Sequence, residues 1–97
     1  MNIERFKKGK ENFKDDRDQV LQWLLEGNEE FKLQMLGRMD QDCEYYVTYG
    51  NRNKNVLWAF IPEDQIYFMK EIYKSLKNKP TWLTMEQIEE HERNLLK

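Results

Sequence analysis

The chain has 97 residues, of which 39% are hydrophobic, 13% aromatic and 35% charged, with a formal net charge of −2. That length supports one domain with one modest core and excludes a separate substrate domain, while the aromatic content argues against the disorder that so polar a chain otherwise suggests. A single cysteine, Cys43, excludes an internal disulfide and a cysteine metal site, and no apolar run approaches the ~18 residues of a membrane span.

The N-terminal stretch "MNIERFKKGK" is basic but has no apolar segment behind it, so it does not read as a secretory signal. With the lone cysteine, this points to a reducing cytoplasm and to no membrane partner. Ile3, Phe6 and Phe13 are compatible with a weak first helix, which Gly9 interrupts. In "DDRDQVLQWLLEGN", Asp15 and Asp16 offer N-caps. Val20 with Leu24, and Leu21 with Leu25, pair along one helix face, and Gly27 stops the helix as a C′ residue.

Asn28 caps the next helix, with Glu29 and Glu30 in its first turn. Phe31, Met35, Met39, Cys43 and Tyr46 form its apolar stripe, flanked by Leu36 and Val47. Asp42 falls at the edge of that stripe. It either reaches water as a boundary residue or anchors the following loop, through Arg52 or backbone N–H groups. Gly50 ends the helix, and "NRNKN" suits caps and turns better than a helix interior. "VLWAF" reads as an extended or single-turn segment that plugs Leu57 and Trp58 into the core, since no second strand is there to pair with it. Pro62, Glu63 and Asp64 open a further helix with Ile66, Met69, Tyr73 and Leu76 on one face. "KNKP" breaks it, and Thr84 with Gln87 forms a capping box for the last helix, which runs through Ile88 and Leu95. The sum is an all-α small single domain: three main helices plus one or two weaker N-terminal helices, with an irregular loop around residues 49–61.

Catalytic parts are missing. His91, the single histidine, lies in the charged stretch "EEHERN" and reads as a surface residue. Cys43 sits on an apolar face with no basic neighbour, which suits a buried, inert thiol. Neither a phosphate-binding glycine loop nor a metal-ligand set is visible. No catalytic residue, metal or cofactor is therefore expected, and the chain reads as a non-enzyme. For nucleic acid, Arg52 and Lys54 offer phosphate contacts, Asn51 and Asn53 polar ones, and Tyr49 and Trp58 stacking surfaces, although no docking motif accompanies them. The plainer reading has Asn51 and Asn53 holding turn geometry and Trp58 in the core. Residues 15–46 carry nine acidic and three basic groups. If several carboxylates converge, they would present negative charge to a basic cleft, as a nucleic-acid mimic does.

The run from Leu36 to Phe60, with the segments "QIYFMKEIYKSLKNKP" and "TWLTMEQIEEHE", resembles the large polyvalent protein-associated domain of the eleventh type. The matching pieces are Asp42, Cys43, Tyr45 and Tyr46; Gly50 and Asn51; Leu57, Trp58 and Ala59; Met69 to Leu76; and Lys79 to Thr84. They span about residues 30–95, the family-like helical core, and leave 1–29 as an N-terminal helical extension. The stretch "AFIPEDQ" departs from the small polar turn of the family pattern. The resemblance transfers no catalytic residue. It implies an accessory protein of a phage or conjugative element, working by contact inside the host bacterial cell. By analogy with small proteins of such elements, the expected function is inhibition of a bacterial defence nuclease, of the anti-CRISPR or anti-restriction type. The alternative is a DNA-associated accessory factor that uses the 49–58 loop. Partner contact is expected at Tyr49, Asn51, Arg52, Asn53 and Lys54 and at the helical turn bearing Asp40 and Glu44, with Asp42, Trp58 and Trp82 as structural anchors. The sequence leaves the oligomeric state open.

Overall fold

The computed structural model describes residues 17–96. Among them are four α-helices and no strand, 71% of the described residues being helical, so the all-α expectation holds. The helices are α1 (Arg17–Glu26), α2 (Glu29–Val47), α3 (Pro62–Ser75) and α4 (Met85–Leu95), with a 3-10 turn at Lys54–Val56. Helices α2, α3 and α4 pack on one another pairwise, α1 packs on α3, and the 3-10 turn packs on α2. The proposed caps Asp15 and Asp16, and the weak helix around Ile3, Phe6 and Phe13, lie outside the described residues.

Local sequence accounts for most boundaries. The Asn28 side chain accepts the Phe31 N–H at 2.8 Å and opens α2. Pro62 occupies the first turn of α3, where its missing N–H costs nothing. The Thr84–Gln87 capping box is formed in both directions. Gly27 directly follows the last residue of α1, as expected of a C′ residue, but none of the described glycines has positive φ. A Cβ there would come within 2.1 Å of the Phe31 ring, so the glycine permits close approach of that ring. After α2, the left-handed turn is carried by Asn51 (φ 51°) and Arg52 (φ 57°) rather than by Gly50.

The core gathers Val20 and Leu24 of α1; Met35, Leu36, Met39, Cys43 and Tyr46 of α2; Leu57, Trp58 and Ala59; Ile66, Phe68, Met69 and Ile72 of α3; and Leu76, Leu83, Ile88 and Leu95. Val47, expected on the flank of the α2 stripe, is exposed instead. Trp58 stacks on Trp23 with centroids 6.4 Å apart and meets Phe68 edge-on at 6.2 Å, which joins α1, the loop and α3. Although α1 precedes the 30–95 region, its Val20 and Leu24 are fully buried in the same core.

Candidate interaction surface

The loop after α2 is held by one partly buried and one fully buried polar side chain. Asp42 Oδ2 accepts the Trp58 N–H at 2.9 Å. Gln65, fully buried, accepts the Ala59 N–H at 2.9 Å and donates to the Met39 carbonyl at 3.2 Å, with a longer contact to Asp42 Oδ2. Consecutive N–H groups that no helix satisfies are thus bonded from two neighbouring helices. The charged partner of Asp42 is Arg38, one helical turn earlier at 3.6 Å, and not Arg52. Burial raises the Asp42 carboxyl above its ordinary range, outweighing the Trp58 N–H and Arg38, which pull it down. Nothing in the hydrophobic pattern singles out Gln65. Its role arises only when α3 crosses α2.

Arg52 is exposed but tied to α4. Its Nη2 donates to the Asn94 carbonyl at 2.9 Å and its guanidinium lies 5.7 Å from the centre of the Tyr46 ring. Asn53 caps the 3-10 turn through the Asn55 N–H. Lys54 is exposed, and Tyr49, 81% exposed, has its ring tilted beside that of Tyr45 with centroids 6.0 Å apart. Trp58 is 2% exposed. Tyr49 and Trp58 therefore do not form a stacking platform, and the cationic pair expected for phosphate is divided, because Arg52 is bonded to α4 and Lys54 projects on its own.

The other half of the predicted surface gains residues from α4. Asp40 Oδ1 bonds His91 Nε2 at 2.7 Å, with the histidine side chain 12% exposed. The surface assignment of His91 is thus corrected. Ile88, His91 and Leu95 repeat at three and four residues, which turns His91 toward α2. Trp82 is corrected too: expected as an anchor, it is 48% exposed. Its neighbour Leu83, 1% exposed, takes the core position. The Trp82 ring leans on the backbone of α2 at Gly37, where a Cβ would lie 3.6 Å from Cη2.

Between α2 and α4 lies a hollow of about 340 Å³, lined by Asp40, Glu44, Val47, Trp82, Glu90 and His91, with Gln87 and Asn94 at its edge. A shallower groove adjoins it across Asp40 and Glu44, bordered by Tyr45, Thr48 and Tyr49. Four of the large exposed hydrophobics, Tyr45, Val47, Tyr49 and Trp82, border these two depressions. Neither depression is lined by a lysine or arginine.

The acidic set of residues 15–46 does not converge as a whole. Glu29 accepts the Lys77 N–H at 2.7 Å, and Asp42 faces the loop. Asp40 and Glu44 remain together, one helical turn apart, and Glu90 of α4 joins them across the hollow. Cys43 lies beneath, fully buried, its Sγ 3.7 Å from the Met69 sulfur. Burial, helped by Asp40 and Asp42, pushes its thiol up to about 12. Among the described residues no group of three or more His, Cys, Asp or Glu is arranged to hold a metal ion, and no helix is long and apolar enough to cross a membrane.

No curated protein and no solved structure matches the chain. The sequence profile of large polyvalent protein-associated domain 11 matches residues 29–95, which take in α2, the loop, α3 and α4 entire. The chain, with its single α2–α3–α4 core and the acidic, aromatic face across α2 and α4, belongs to this phage-associated domain family.

Proposed function

We propose that this protein is a non-enzymatic binding protein of a phage or mobile genetic element. It acts by laying the α2–α4 face against a basic protein surface. The observation that supports this is the clustering of Tyr45, Val47, Tyr49 and Trp82 around two adjoining depressions that share Asp40 and Glu44. Exposed aromatics rimmed by one sign of charge are what protein contacts use. Tyrosine and tryptophan bring large buried area at little entropic cost, and the charge selects and steers the partner. A bacterial defence nuclease is the target class: its nucleic-acid cleft is basic, and a small acidic protein that covers it blocks cutting inside the host cell.

Capture from a host lysate on the intact chain, followed by cleavage assays with CRISPR and restriction nucleases, tests this. The expected result is a co-purifying nuclease whose cutting is suppressed. Undiminished cutting by every captured nuclease would remove the inhibitor reading. A mobility shift of labelled DNA at low salt that weakens on Lys54→Ala would favour the DNA-associated alternative instead.

A further inference from the structure

We infer that the hollow between α2 and α4 receives an arginine side chain from a basic segment of a partner protein. This rests on the protein-contact reading above and specifies what the contact grips. Asp40 and Glu44 from one helix and Glu90 from the other line the hollow, with Trp82 half exposed beside them. The volume of about 340 Å³ lies near the lower end of the range for small-ligand sites, roughly 300–1,000 Å³, which is ample room for one long side chain. The mixture of groups selects the guest. A guanidinium presents a flat face to an indole ring and N–H donors at its edge to carboxylates, so Trp82 and Glu44 or Glu90 satisfy both aspects at once. Val47 and the Trp82 ring edge accept the methylene stem.

Charge decides against the other occupants. A second copy docking the same face would set three carboxylates against three, and like charges across an interface oppose pairing. A nucleic-acid phosphate meets the same repulsion. His91 is the one titratable nitrogen among the lining residues, and it is already bonded to Asp40. Lysine fits less well than arginine, because a compact, strongly hydrated ammonium gains less from the indole face.

The test uses the intact chain and four probes: a capped Gly/Ser octapeptide carrying two arginines, its lysine and citrulline counterparts, and a twelve-nucleotide single-stranded DNA. Binding is read by calorimetry and by tryptophan emission. The arginine peptide is expected to bind and to perturb the emission, with the lysine peptide weaker and the citrulline peptide and the DNA showing no binding. Trp82→Ala is expected to weaken the arginine peptide about tenfold. Glu44→Gln with Glu90→Gln is expected to weaken it by at least as much and to flatten its salt dependence. All three positions are exposed, and circular dichroism of the variants verifies their folding. Equal binding of the citrulline peptide, retention of affinity in both variants, DNA binding as tight as the arginine peptide, or a dimer broken by Trp82→Ala would each overturn the assignment. Failure to inhibit any nuclease while the arginine peptide binds would sink the nuclease reading alone. Full nuclease inhibition by the Glu44→Gln, Glu90→Gln variant would sink the arginine site alone.

Discussion

Replacing Asp42 by alanine removes the acceptor of the Trp58 N–H, a bond of 2.9 Å. The Asp42 side chain is only 13% exposed, so water does not readily take its place. Leaving such a donor unsatisfied costs about 1–3 kcal/mol. For a domain of this size that corresponds to a fall in Tm of about 5–20 °C. Asparagine at the same position keeps an oxygen for the Trp58 N–H and gives up the charge and the 3.6 Å contact with Arg38. Because burial raises the Asp42 carboxyl above its ordinary value of 3.8, the folded chain holds that proton more tightly than the unfolded chain does. The stability linked to this proton is fully present below pH 3.8 and is lost as pH rises through the folded value. Asp42→Asn should therefore improve relative to the native protein as pH rises through that window, and at neutral pH cost no more than about 1 kcal/mol. Urea unfolding followed by tryptophan emission, from pH 3.5 to pH 7, measures both substitutions. An alanine variant within ~0.5 kcal/mol of native would refute the reasoning, since changes of that size are what an unremarkable surface position gives. A difference between asparagine and native that does not move with pH would remove the desolvation argument.

The two tryptophans of the loop and the hollow should separate by stability. Trp58→Ala empties a fully packed site and is expected to cost about 3–5 kcal/mol, whereas Trp82→Ala, at a half-exposed position, should cost about 1 kcal/mol or less by chemical denaturation. Cys43, with its thiol pushed up to about 12 and no solvent exposure, should react with a disulfide reagent at neutral pH only as fast as the domain opens, so that urea accelerates labelling sharply. Thr84→Ala breaks the capping box and should lower stability by about 1 kcal/mol, read from the same unfolding curves.

The periodic positions carried the architecture. Apolar residues at helical spacing, Asn28 and Thr84 as caps and Pro62 at a first turn define α2, α3 and α4 from neighbours within one or two turns, and such local preferences act wherever the chain lies. Asp42 stood out for the same reason, as an acid at the edge of the apolar stripe. Other features had no local signature. Gln65 reads as one more polar residue in a first turn until α3 meets α2 and the Ala59 N–H needs an acceptor. Trp82 and Leu83 were indistinguishable as apolar neighbours, and only the course of the segment between α3 and α4 decided which of them faces the core. His91 was placed on the surface by its charged neighbours, yet the crossing of α4 over α2 sets it against Asp40. The acidic face likewise unites Glu90 with Asp40 and Glu44, separated by more than forty residues of chain. Helix and cap were determined by the sequence alone because they depend on contacts a few residues apart. The hollow and its charge were decided by tertiary structure because they depend on which faces two helices turn toward each other, and that is settled by the packing of Met39, Cys43 and Ile88 beneath them.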